Sequence, residues 1–337
     1  MRLVPEKDRR LIDPWAGLPC IKNKAWAEAG PTEAPKEISP MKMKSMALTA
    51  LLLLAAAPVI AQEPAAGSSE AEKDAATRTA LDYSDGTYSG DAARIERAIH
   101  PDLNKLFFSR RSPTMGLAAG YTSYSVFVEL VKAGMLPTLD PDKRLTEVSV
   151  LELKDDIACA KIRSAQWCDY LQMVKIGGQW KIINVLWTLG LSTPLQAKVV
   201  PGFDAEKERP AAKAAALDYV EGRMSGDVAR LERVLHPETN QVAYMVAAKT
   251  NGAFLSRTRF SGILEPVKAK IGLTPENERQ AEVRVLDLMD GMAFAAAEMP
   301  SGAAYLQMQL MDGQWKVINV LVRPANNTVP QQPPAKR

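Results

Sequence analysis

Ala80-Leu-Asp-Tyr-Ser-Asp-Gly-Thr-Tyr-Ser-Gly-Asp-Ala-Ala-Arg-Ile-Glu-Arg-Ala-Ile-His-Pro101 returns 136 residues later as Ala216-Leu-Asp-Tyr-Val-Glu-Gly-Arg-Met-Ser-Gly-Asp-Val-Ala-Arg-Leu-Glu-Arg-Val-Leu-His-Pro237. Between 80–104 and 216–240, 15 of 25 positions are identical. A second match follows in the same order. Tyr170-Leu-Gln-Met173 and Gly178-Gln-Trp-Lys-Ile-Ile-Asn-Val-Leu186 return as Tyr305-Leu-Gln-Met308 and Gly313-Gln-Trp-Lys-Val-Ile-Asn-Val-Leu321, with 12 of 17 positions of 170–186 identical at an offset of 135. Two matches in one order mean a duplication. The period is far too long for a solenoid, so each copy is a whole domain. The one-residue change of offset places a deletion between the two matches, near Thr138–Lys143.

Local chemistry divides each copy into helices and then strands. Leu217, Val220 and Met224 recur at i, i+3 and i+7, the apolar face of a first helix. Asp91 and Asp227 are good N-caps for a second helix, which buries Ile95, Ala98 and Ile99, or Leu231, Val234 and Leu235. That helix stops at His-Pro, because a residue before proline is pushed out of helical geometry. A third helix is predicted over 123–133 and 260–270. Strands are predicted over 146–153, 157–163, 168–176 and 179–187, and again in the second copy. Gly177-Gly178 and Asp312-Gly313 have the chemistry of two-residue type I′ hairpin turns. Such a turn pairs Ile176 with Gln179, and a regular ladder then pairs Leu171 with Asn184 and Asp169 with Leu186. One face would carry Asp169, Leu171, Met173, Ile182, Asn184 and Leu186 towards the helices. The other would carry Tyr170, Gln172, Lys181 and Ile183. The fold class expected is α+β, with helices packed on a curved antiparallel sheet to make a cone, twice over.

The ends of the chain read differently. Met41-Lys42-Met43-Lys44 is basic, Met46 to Pro58 is apolar, and Val59-Ile60-Ala61 is small or branched, which is the order of a secretory signal peptide over 41–61. Residues 1–40 show no periodicity and are expected to be a spurious or disordered extension, since a signal works only at an N-terminus. The remaining divisions expected are a linker (62–74), module 1 (75–192), a second linker (193–210), module 2 (211–323) and a disordered tail rich in Pro, Asn and Gln (324–337). Residues 62–337 carry 33 basic and 33 acidic side chains, so this part offers no electrostatic footprint for nucleic acid. No membrane association is expected after signal cleavage. Cys159 and Cys168 fall on neighbouring predicted strands but several residues out of register for a disulfide. No His or Cys spacing suggests a metal site, and no cofactor motif is present.

Asp169 and Asn184 stand out as polar side chains on the predicted helix-facing surface. Such a pair either satisfies itself or awaits a ligand. Module 2 keeps Asn319 but has Ala304 in place of Asp169. His100 and His236 are the only histidines. Each could be a general base, or could satisfy helix-terminal carbonyls before the proline. Tyr83 and Tyr219 lie on the first helix as core tyrosines or as donors into the cone. Arg110 and Arg111 face Val246 and Ala247 in the repeat, an asymmetry that would suit an anion reader in module 1 or a solvated strand end.

The order Leu-Asp-Tyr…Gly-Asp…Arg-(Ile/Leu)-Glu-Arg…His-Pro, then Asp169-Tyr170-Leu171, then Trp-Lys-(Ile/Val)-Ile-Asn-Val-Leu resembles the putative lumazine-binding family of the nuclear transport factor 2-like superfamily. The resemblance spans about 75–190 and 211–323. It implies two cone-shaped modules, each with a helix-facing sheet surface that lines a pocket. Superfamily members include isomerases, dehydratases, binding modules and adaptors, so the resemblance leaves activity open. The function expected is an exported, non-catalytic binder of a small apolar or aromatic molecule, with Asp169, Asn184, Tyr83, His100 and Arg110 as ligand contacts. The alternatives are a dehydratase, isomerase or hydrolase using Asp169 with Tyr83 or His100, and a structural module with filled cones. The two modules are expected to pack on each other as an intramolecular pseudo-dimer, replacing the self-association of single modules.

Overall fold

The computed structural model describes residues 66–110, 116–193, 200, 202–247, 250, 252–326 and 328–329. The expected signal peptide and the extension before it lie outside the described residues, as does Arg111. Module 1 comprises α1 (Ala66–Ser89), α2 (Ala92–Ala98), β1 (Ile99–Ser109), β2 (Ala118–Ser123), α3 (Tyr124–Lys132), β3 (Glu147–Lys154), β4 (Ile157–Arg163), β5 (Trp167–Ile176) and β6 (Gln179–Leu189). Module 2 repeats it with α4 (Ala205–Ser225), α5 (Val228–Val234), β7 (Leu235–Ala247), β8 (Ala253–Arg259), α6 (Phe260–Lys268), β9 (Glu282–Met289), β10 (Met292–Met299), β11 (Gly302–Met311) and β12 (Gln314–Pro324), and adds β13 (Thr328–Val329).

The sequence signals act where expected. Asp91 and Asp227 accept from the backbone N–H of Arg94 and Arg230, each at 3.1 Å. Gly177, Gly178, Asp312 and Gly313 all have positive φ, the type I′ pattern. Three boundaries differ. Residues 205–210, expected as the end of the second linker, open α4. Residues 66–74, expected as linker, belong to α1, where Glu72 accepts from the Trp180 indole N–H (3.0 Å) and the Lys175 ammonium (2.5 Å). Glu208 of α4 accepts from Trp315 in the same way, at 3.2 Å. The indoles thus tie the first helix of each module to the last hairpin. Within the expected disordered tail, Thr328–Val329 forms a strand beside β7.

The sheet is mixed, not purely antiparallel. Its order in module 1 is β2-β1-β6-β5-β4-β3, and β1 runs parallel to β6. A chain that enters the sheet from α2 and leaves it for α3 reaches β6 only after three more strands, so a parallel join is available to it. The β5–β6 ladder also departs from regularity. Ile176 pairs with Gln179, but Ile183 is an extra residue, so Gln172 pairs with Asn184, Leu171 with Val185 and Asp169 with Trp187. Ile318 makes the same bulge in module 2. A bulge flips every later side chain to the opposite face. Val185 and Trp187 therefore join Asp169, Leu171 and Met173 beneath the helices, while Asn184 and Leu186 turn away.

The surface to which they turn is where the two sheets meet. Tyr170, Ile183 and Leu186 of module 1 share one buried cluster with Phe294, Tyr305 and Ile318 of module 2. Each module keeps a separate core under its own helices. Cys159 and Cys168 are buried in the shared layer and form no disulfide. Their cross-strand partners are Gln172 and Arg163, which places them well apart along the ladder.

A polar network with two-fold character crosses this apolar layer. Asn104 Nδ2 donates to Asn319 Oδ1 (2.8 Å), and its repeat Asn240 donates to Asn184 Oδ1 (3.0 Å). Asn184 and Asn319 donate in turn to Gln172 and Gln307 (2.7 and 2.8 Å). Gln172 donates to the Tyr305 carbonyl and Gln307 to the Tyr170 carbonyl, both at 2.8 Å. Around it, Arg284 grips Glu152 with both terminal nitrogens, and Lys161 and Lys154 pair with Asp287 and Glu298.

Candidate functional site

The helix-facing side of the module 1 sheet holds a buried polar cluster. Asp169 on β5 and Tyr83 on α1 meet, with the Tyr83 hydroxyl donating to Asp169 Oδ1 at 3.0 Å. Lys105, from β1, completes the group. Its ammonium donates to the Tyr83 hydroxyl (2.5 Å) and to Asp169 Oδ1 (3.3 Å). Three rings surround that ammonium, with centroids at 4.8 Å (Trp187), 5.2 Å (Tyr83) and 5.4 Å (Phe127). Such an arrangement stabilises a cation through the ring quadrupoles. All five residues are buried. Burial, then the Asp169 charge, pushes the Tyr83 hydroxyl well above its ordinary range. Burial pulls the Lys105 ammonium down, opposed by Asp169. The Trp187 indole N–H is buried and meets no acceptor among the described residues.

Lys105 was not among the residues singled out from the sequence. Its β1 position was not read as a strand, and lysine is seldom buried. A signal existed in the repeat. Its counterpart is Gln241, and Asp169's is Ala304, so the second copy lacks both charges. Phe127 and Trp187 have Ile263 and Val322 at their places. In module 2 the Tyr219 hydroxyl donates to Gln241 Oε1 (3.0 Å), and Arg223 donates to the same oxygen (2.9 Å).

The other sequence candidates lie elsewhere. Asn184 belongs to the network between the sheets, because the bulge at Ile183 turns it from Asp169. Arg110 pairs with Asp312 of module 2 at 2.9 Å on the surface, so it bridges modules and does not face the cone. His100 follows α2 at the start of β1, where its Nδ1 accepts from the Asp102 backbone N–H (3.1 Å). His236 does the same with Glu238 (3.1 Å). Each ring closes a His-Pro-acid turn and does not cap carbonyls.

An accepting Nδ1 must be unprotonated, and burial lowers both histidines below their ordinary value. Above pH ~6.5 both folded and unfolded chains carry neutral rings. Below it the unfolded chain takes up protons that the fold resists, so stability is expected to fall as pH drops through this range. Urea unfolding between pH 7.5 and 5 checks this, and His100→Asn/His236→Asn should flatten the slope.

Among the described residues no group of three His, Cys, Asp or Glu side chains is placed to hold a metal ion, and no helix is long and apolar enough to cross a membrane.

A duplicated α+β module with a buried ionic cluster in one copy is the class that these features define. The family model described as putative lumazine-binding matches residues 71–188 and 207–321, and the chain belongs to that family. No curated protein matches. Solved structures similar to this chain include an NTF2-like protein of unknown function from Shewanella baltica OS155 (11% identity, 35% of this chain, 93% of that one, TM-score 0.30). A ketosteroid isomerase-like protein from Erwinia carotovora atroseptica is similar at 13% identity, over 34% of this chain and 94% of that one, with a TM-score of 0.27. A putative dehydratase of the NTF2-like family from Streptomyces avermitilis is similar at 11% identity, over 36% and 98%, with a TM-score of 0.26.

Proposed function

We propose that the protein is an exported, non-catalytic binder of a small aromatic molecule, held in the cone of module 1. The observation that carries this reading is that Lys105, Asp169, Phe127 and Trp187 are all replaced together in module 2, which has the same fold with Gln241, Ala304, Ile263 and Val322. A buried ion pair contributes little net stability and is replaceable by apolar packing. The fold has no need of the cluster, so a ligand accounts for it best. Three rings would stack on an aromatic guest. Lys105 and the Trp187 N–H would donate to its carbonyl oxygens, and Asp169 would accept from its N–H or O–H groups. The family description points to a pteridine of this chemistry. Export rests on the order of basic, apolar and small residues over 41–61. A non-catalytic role is supported by Asp169 being engaged by two donors and by His100 being engaged in its own turn.

The test is titration of the full chain with lumazine (pteridine-2,4-dione), followed by quenching of tryptophan emission. Saturable quenching is expected. The module-2-like variant Lys105→Gln/Asp169→Ala should bind roughly 10–100-fold more weakly, the worth of a lost hydrogen bond to a charged group. The rival reading is a filled structural module, favoured by how closely the side chains pack around Lys105. It would be upheld by a wild-type chain that neither quenches nor carries any co-purifying small molecule in native mass spectrometry.

A further inference from the structure

We propose that Lys105 is a covalent anchor, condensing through its side-chain amine with an aromatic aldehyde or ketone to give a protonated imine. The inference rests on the reading that the module 1 cone admits an aromatic guest, and it adds the guest's reactive group. Three features converge on this amine. It is buried, and burial disfavours its charged form against the opposing pull of Asp169. The Tyr83 hydroxyl lies 2.5 Å away, where it can relay a proton to a carbonyl oxygen. Asp169, at 3.3 Å, accepts from both groups. Module 2 lacks the amine and the carboxylate but keeps the tyrosine, so only module 1 has the complete set.

The chemistry balances without an oxidant. The ammonium first passes one proton to Asp169, and the freed lone pair attacks the carbonyl carbon. The C–N bond forms, and the carbonyl oxygen takes a proton through Tyr83. The C–O bond of the carbinolamine then breaks as its lone pair on nitrogen closes the C=N bond, and water leaves with the proton held by Asp169. One ammonium and one carbonyl become one iminium and one water. The product cation stays where the ammonium was, so Asp169 and the three rings stabilise it as well.

The experiment incubates the folded full-length chain with benzaldehyde, reduces with sodium cyanoborohydride and maps benzylated lysines by peptide mass spectrometry. Lys105 is expected to be labelled in preference to exposed lysines such as Lys73 and Lys213. Lys105→Arg, which keeps a cation opposite Asp169, should remove that label, and Tyr83→Phe should slow it about 100-fold. Labelling confined to exposed lysines while lumazine still quenches tryptophan emission overturns the imine alone. Labelling confined to exposed lysines with no quenching overturns both the anchor and the binding reading. Preferential labelling of Lys105 that Tyr83→Phe leaves unchanged overturns the relay assigned to Tyr83.

Discussion

The Asp169→Ala variant is expected to be about 3–5 kcal/mol less stable than wild type, and Asp169→Ala/Lys105→Gln to recover most of that loss. The single change leaves the Lys105 ammonium buried without its anion. The double change reproduces the pair that module 2 carries at Ala304 and Gln241 and leaves no charge to compensate. Lys105→Gln alone should also be costly, since Asp169 would keep only the Tyr83 hydroxyl. Urea unfolding of the three variants closes the cycle, and its interaction energy measures the pair directly. Additive single losses would mean that Lys105 and Asp169 are not coupled, and the description of the cone as an ionic cluster would be wrong.

The second large effect lies between the sheets. Asn184→Leu should cost about 2–6 kcal/mol, because it strands Gln172 Oε1 and Asn240 Nδ2 in a layer that excludes water, at about 1–3 kcal/mol each. An exposed inter-module contact serves as the control. Asp312→Ala breaks the surface pair with Arg110 and should cost less than about 1 kcal/mol. If Asn184→Leu were as mild as Asp312→Ala in the same unfolding assay, the polar network would be incidental to the packing of the modules.

Much of the fold was legible because its signals are local. Asp91 and Asp227 announce helix starts, His-Pro ends the same helices, and Gly177-Gly178 and Asp312-Gly313 fix hairpins. The duplication made every such reading checkable twice. What the sequence concealed depends on contacts distant along the chain. Nothing in Lys181-Ile-Ile-Asn184 marks Ile183 as the bulged residue, because either isoleucine suits a buried strand. The bulge alone decides that Asn184 faces the other module while Trp187 faces the cone. The parallel join of β1 to β6 is equally non-local, and without it Lys105 cannot be placed beside Asp169. Asp169 was separable from the background because it is polar in an apolar run, and Tyr83 because it lies on the first helix, which packs on the sheet. Arg110 looked similar for the opposite reason, since a repeat partner of Val246 says only that the position differs, not where it points.

The inter-sheet network has one broken symmetry. Asn240 Oδ1 accepts from Arg257 at 3.2 Å, and Arg257 also reaches the Asp102 carbonyl, whereas Asn104 Oδ1 is buried with no partner among the described residues and the residue matching Arg257 is Tyr121. In an assembly of identical subunits every substitution appears twice, so an arginine there would be imposed on both sides of the axis. Joining the halves in one polypeptide removes that constraint. Each half can then differ by itself: one carries a charged interior, and the other an uncharged interior with a bracing side chain.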